Sequence, residues 1–223
     1  GRVAKGTAGF AASALAISIG LALSSNAMAN VDTDVASGVL RIADPTGTNS
    51  IRMGSGTTLD DANKQWNSIS IGTDAGVNTA SSVAIGYGAK AGKADKFLGQ
   101  GAVALGYNAQ ALGTSGIAIG EDSSTTNGHN GVAIGAYSKT ENEKSISIGA
   151  FSTASGAQST VISSNYDTNS RGPVSVASGR RSQIYGSETT VSGEQSVSIG
   201  DTNTIASART YALGNNINVA AGG

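Results

Sequence analysis

Few residues in this chain could perform chemistry, and those few stand apart from one another. His129 is the one histidine among 223 residues and lies in Thr126-Asn-Gly-His-Asn130, a run of turn formers where an imidazole is expected in solvent. Asp32/Asp34 and Glu121/Asp122 are isolated acid pairs. They lack the Gly-Gly-x-Gly-x-Asp spacing of calcium-binding nonapeptide rolls and the loop pattern of an EF-hand. There is no cysteine, so thiolate metal sites and disulfide frameworks are excluded. Gly86-Tyr-Gly88 lacks the strand–helix context that a nucleotide loop needs. No catalytic site, metal or cofactor is therefore expected. What remains is recognition. Tyr87 and Tyr107 directly follow a glycine, and Tyr137, Phe151 and Tyr166 come one residue later in the same setting. Such a row could grip an extended partner, because tyrosine offers a rigid area with a polar tip. The plainer expectation is that each ring lies over small neighbours or packs between subunits. Tyr87, Tyr107, Tyr137 and Phe151, with Lys93 and Lys96, are the candidate ligand-binding residues.

These side chains are positioned by a repeat. Val132-Ala-Ile-Gly135 and Ile146-Ser-Ile-Gly149 are two copies of one phrase, set 14 residues apart. It recurs at Ile69–Gly72, Val83–Gly86, Val103–Gly106, Ile117–Gly120 and Val197–Gly200, more loosely at Tyr211–Gly214, and in degenerate form as Val161–Ser164 and Val176–Gly179. Gly72, Gly86, Gly106, Gly120, Gly135, Gly149, Gly179, Gly200 and Gly214 thus read as the structural residues of a tandem array. Each phrase is an apolar–small–apolar triplet suited to a strand, closed by a glycine where the chain turns. Three residues later a second alternation begins, as in Ala89/Ala91, Ser138/Thr140 and Ser182/Ile184, with a residue such as Lys90, Lys139 or Gln183 between. That is a half-buried strand with one wet face. A repeat is therefore two short strands and two turns, one coil of a solenoid.

The first strand has no polar face, because its central residue is Ala or Ser. Stacking covers only the inside of a coil, so the other face calls for a partner chain, and a homo-oligomer follows. Whether the Val/Ile or the Ala/Ser side meets that partner is open at this level.

The phrase Ser-Val-Ala-Ile-Gly every 14 residues, with Ala or Ser three positions on, closely resembles the head of YadA-like trimeric autotransporter adhesins. The resemblance covers about residues 68–219 and ten copies. It implies an all-β fold, a left-handed parallel β-roll of about ten coils of 14–15 residues, with three rolls packed around a threefold axis. It also implies adhesion to extracellular-matrix or host-cell-surface macromolecules by a protein displayed on the bacterial outer membrane. Neither the heptad stalk nor the C-terminal anchor strands of that family are found, so membrane attachment would come through an anchor missing from this piece of a longer protein.

Taken in order, residues 1–29 have Arg2 and Lys5, an uncharged run from Ala8 to Leu23, and Ser25-Asn-Ala-Met-Ala29. They read as a signal peptide that is removed on export. Residues 30–67 read as a lead-in and cap, with Trp66 covering the open end and Ile51-Arg-Met-Gly54 as a worn copy of the repeat. Residues 68–223 are the head repeats. Long steps in the array mark insertions at 91–100, carrying Lys93, Lys96 and Phe97, and at 185–194. Insertions in repeat proteins often sit on the binding face, although a lengthened surface loop is also tolerated cheaply.

The formal net charge of −1 offers no basic field for nucleic acid. An enzyme of the hexapeptide acyltransferase kind would step by six residues, not 14. An ice-binding or purely structural solenoid would show a flat threonine array, and the residues between the +3 and +5 positions are mixed. An adhesin head is the expected function.

Overall fold

The structure, a computed structural model, describes residues 30–34, 39–43, 50–59, 67–93, 100–127, 129–163 and 175–222. Residues 1–29, Trp66, Lys96, Phe97 and Tyr166 lie outside the described residues. Asn30–Asp34 and Val39–Ala43 pair as an antiparallel hairpin. From Ile51 onward the chain winds into a parallel β-solenoid with two sheets of eleven strands each, and no helix is present among the described residues. Each coil gives a three-residue first strand to one sheet and a two- or three-residue second strand to the other. Register is exact from coil to coil: Ala118 pairs with Ala104 on one side and Ala133 on the other, and Ile119 with Leu105 and Ile134. Ile51–Met53 pairs in the same register with Ile69–Ile71, so the worn copy is a true coil and the array begins before residue 68.

Burial decides the direction of the first strand. Its central residue points inward and is fully buried, as at Ala84, Ala104, Ala118 and Ala133. The flanking Val and Ile point outward and stay half-exposed or exposed. The second strand turns its +3 and +5 residues inward, for example Ala109 and Ala111, and leaves Lys90 and Lys139 in water. The inside of each coil is narrow, and in most coils the alternating residues are small where the two sheets face each other. Many are serines. Ser196 accepts from the Thr210 amide at 3.0 Å and donates to the Ser207 carbonyl at 2.9 Å, which is how a hydroxyl is tolerated there.

The first turn explains the glycines. Gly72, Gly86, Gly106, Gly120, Gly135, Gly149, Gly200 and Gly214 all hold φ between +119° and +136°, outside the range of L side chains. They also stack directly. A Cβ on Gly72 would lie 2.5 Å from the carbonyl oxygen of Gly86, and one on Gly135 would lie 2.7 Å from that of Gly149. Two residues past each glycine, and again before the next first strand, the backbone enters the left-handed region. Seventeen non-glycine residues do so among those described.

Four readings around the degenerate coils need correction. The copy after Gly149 is Thr160–Ile162, so Ser163 rather than Ser164 takes the glycine position, its amide donating to Ile148 at 2.9 Å. Ser175–Ala177 belongs to the second sheet, and Gly179 lies on the other turn, in line with Gly156 and Gly193. The true copy is Gln183–Tyr185 followed by Gly186 (φ +147°), so Ser182/Ile184 is not a second-strand pair. Residues 185–194 are then an ordinary coil 14 residues before Gly200, and the extra residues fall between Ser163 and Ser175.

Candidate interaction surfaces

The largest candidate is the outer face of the first sheet. Its outward positions run from Ile51 and Met53 to Tyr211 and Leu213 and hold no charged residue at any of the eleven rungs. Leu105 is 41% exposed, Ile162 44% and Ile199 45%, so this is a predominantly apolar surface open to water in the single chain. A contiguous exposed apolar face of this kind marks an interaction site. The sequence pattern could not say which side of the strand it was. The signal available was size: in most coils the smaller residue of the first strand is the one that lies inside, as at Ala84, Ala104 and Ala118.

The aromatic residues share one turn but form two pairs. The Tyr87 and Tyr107 rings stack with centroids 5.4 Å apart and planes 9° from parallel, while both side chains remain more than half exposed. Tyr137 and Phe151 stack at 5.0 Å and 7°. The coil between the pairs carries Glu121 and Asp122. Tyr137 Oη donates to Glu121 Oε1 at 3.1 Å, and Asn108 Nδ2 donates to Asp122 Oδ1 at 2.8 Å. Tyr137 (φ +58°) and Phe151 (φ +55°) occupy left-handed positions that cost a bulky residue about 1–2 kcal/mol. Ring stacking returns about 0.5–1.5 kcal/mol for the pair, so it offsets part of the strain carried by the two residues. The rings therefore pack on each other across coils and still present edges to solvent.

Lys93 is exposed at the start of the first insertion, next to Gly92 at the end of a second strand. His129 is exposed in its turn. Arg180 and Glu194 form an ion pair at 3.8 Å with both side chains more than half exposed, a contact worth little in water. No group of three or more His, Asp or Glu residues that could hold a metal occurs among the described residues. These residues are not brought together into a site.

Two sheets of short parallel strands, stacked coil on coil from a tandem repeat, define the chain's fold as a parallel β-solenoid. Residues 67–89, 98–123, 122–138 and 141–162 match the family model of the YadA head domain repeat, so the coils in that stretch are similar to those of YadA-like adhesin heads. The match ends at residue 162, beside the point where the inward residue of the first strand changes from Ala or Ser to Val161 and Ile184. No curated protein matches the chain.

Proposed function

We propose that this chain is the head of a bacterial surface adhesin that works as a homotrimer and binds extracellular-matrix or host-cell-surface macromolecules. The observation that carries the reading is the outward Val/Ile face of the first sheet, apolar at most of its rungs in a chain that contains YadA head repeats. Packing three such faces together removes them from water and leaves the second sheet and the turns for contact with a ligand. The exposed edges of Tyr87, Tyr107, Tyr137 and Phe151, and Lys93 in its loop, are the contacts available there. Binding would be shared among coils, since repeated weak contacts gain through effective concentration. Residues 1–29 would serve as the export signal that delivers the head to the cell surface.

Sedimentation equilibrium tests the assembly, and a stable, well-folded monomer would refute it. Binding to an immobilised matrix protein tests the activity. Deleting Ala136–Gly149 removes one coil and keeps the frame, because Gly135 then runs into Ala150 as Gly149 did. Nearest-neighbour stacking lets the shortened head fold, and its binding is expected to weaken only slightly. Abolished binding in a folded deletion would place the site in that coil and remove the distributed mechanism.

A further inference from the structure

We infer that the Gln183–Tyr185 rung sets the orientation and axial register in which copies of this chain pack. The inference rests on the homotrimeric reading. Rungs of the first sheet recur every ~4.8 Å, and a second copy of the same solenoid presents ridges at that same pitch. The apolar face therefore suits another copy of itself. That fit raises a difficulty. From Ile69/Ile71 to Ile146/Ile148, six successive rungs present only Val, Ile or Leu outward. Sliding one copy by a single rung would restore nearly the same contacts, as would inverting it end for end. A uniform apolar ladder cannot tell these arrangements apart.

Gln183 breaks the degeneracy. It stands outward in register between Thr160 and Val197, while Ile184 beside it is fully buried inside the coil. It is the one amide among the outward positions of the eleven first strands. Tyr185 Oη donates to Gln183 Oε1 at 3.2 Å, steadying the amide on the strand surface. The glutamine NH2 and a second oxygen lone pair retain the capacity to meet a partner. Packed against its own symmetry copy, Gln183 finds a group that both donates and accepts. Slid by one rung, it meets Val197 or Thr160. Inverted, it meets Val83 and Ile85, because its rung is ninth of eleven from the N-terminal end and theirs is third. A buried amide left without partners is penalised, and a single polar residue in an apolar seam is a known means of fixing register in coiled coils. Thr160 marks the adjacent rung less strongly, since a hydroxyl can turn back to its own backbone.

The chain has no cysteine, so introduced thiols report contacts cleanly. Val132→Cys and Ile146→Cys lie on neighbouring rungs. The two single-cysteine chains are refolded together, oxidised, and scored for like-with-like against mixed disulfides. With Gln183 intact, like-with-like pairs should dominate. Adding Gln183→Val to both chains should raise the mixed fraction several-fold while sedimentation shows the same assembly, with Gln183→Leu as the alternative if the valine chain misfolds. Moving the mark, by Val197→Gln in the Gln183→Val background, should restore like-with-like pairing. An unchanged mixed fraction in a demonstrated trimer overturns the register role alone. A monomer with Gln183 intact overturns the homotrimer, and the register role with it.

Discussion

The coils from Val77 to Ala118 and those from Ala154 to Ala212 share one backbone but close their interiors differently. The first group is filled by alanine, with Ala84, Ala89 and Ala91 in one coil and Ala104, Ala109 and Ala111 in the next, all fully buried. The second group is filled by Val161, Ile184, Val191 and Ile205. Between them the interior is lined by hydroxyls: Ser123, Thr125, Ser138, Thr140, Ser147 and Ser152. A backbone that accepts methyl groups, hydroxyls and isoleucine at equivalent positions is not specified by its core volume. It is specified by the ladder bonds between coils and by the two turns. Side-chain burial adds much to the aliphatic coils and little to the alanine coils, where each buried methyl is worth roughly 0.8 kcal/mol.

Substitutions can break or sharpen that contrast. The largest effect is expected for Ile184→Ala, which opens a cavity in an aliphatic coil and should cost about 2–5 kcal/mol by denaturant unfolding. A loss below that range would mean that the neighbouring coils collapse into the space. Ala104→Val tests the opposite limit. It adds bulk between Ala84 and Ala118, its partners in the ladder, and overpacking should destabilise by about 1–3 kcal/mol. If the melting temperature rose instead, the alanine interior would have unused room and the contrast would dissolve. The smallest change is expected for Thr125→Val in the hydroxyl-lined coils. Thr125 Oγ1 and Ser138 Oγ are buried with no hydrogen-bond partner among the described residues. Replacing the Thr125 hydroxyl by a methyl should be neutral or raise stability by up to about 1 kcal/mol. A clear loss in calorimetry would show that the hydroxyl is satisfied in solution.

What the sequence revealed was local. The glycine spacing, the apolar–small–apolar strand, the wet side of Lys90 and Lys139 and the worn coil at Ile51 all depend on residues within one repeat, so they could be read directly. The direction of the first strand could not, because Val-Ala-Ile reads the same from either side until the narrow interior is considered. The coil at Gln183–Tyr185 escaped because its pattern is inverted, with the large aliphatic residue inward and polar or aromatic residues outward. Val176-Ala-Ser-Gly179 resembles the phrase more closely than Gln183-Ile-Tyr-Gly186 does, and so masks it. Stepping back 14 residues from Gly200 lands on Gly186 and would have found it. The aromatic column was visible as spacing, but stacking in two pairs depends on which of two turn positions each ring occupies.

The coil-to-coil backbone bonds have a mechanical consequence. They run along the solenoid axis, as from the Gly135 amide to Ile119 and from the Gly149 amide to Ile134. Tension applied between the two ends would load these bonds lengthwise, a few at a time, beginning at a terminal coil. Each coil that peels away would release 14 residues, which extend to roughly 45–50 Å of slack. The head would then yield in a series of similar small steps, with three longer ones where the chain runs 18 residues from Gly54 to Gly72, 20 from Gly86 to Gly106 and 23 from Ser163 to Gly186. Such an array absorbs a sustained pull gradually and shortens again coil by coil when the load is removed.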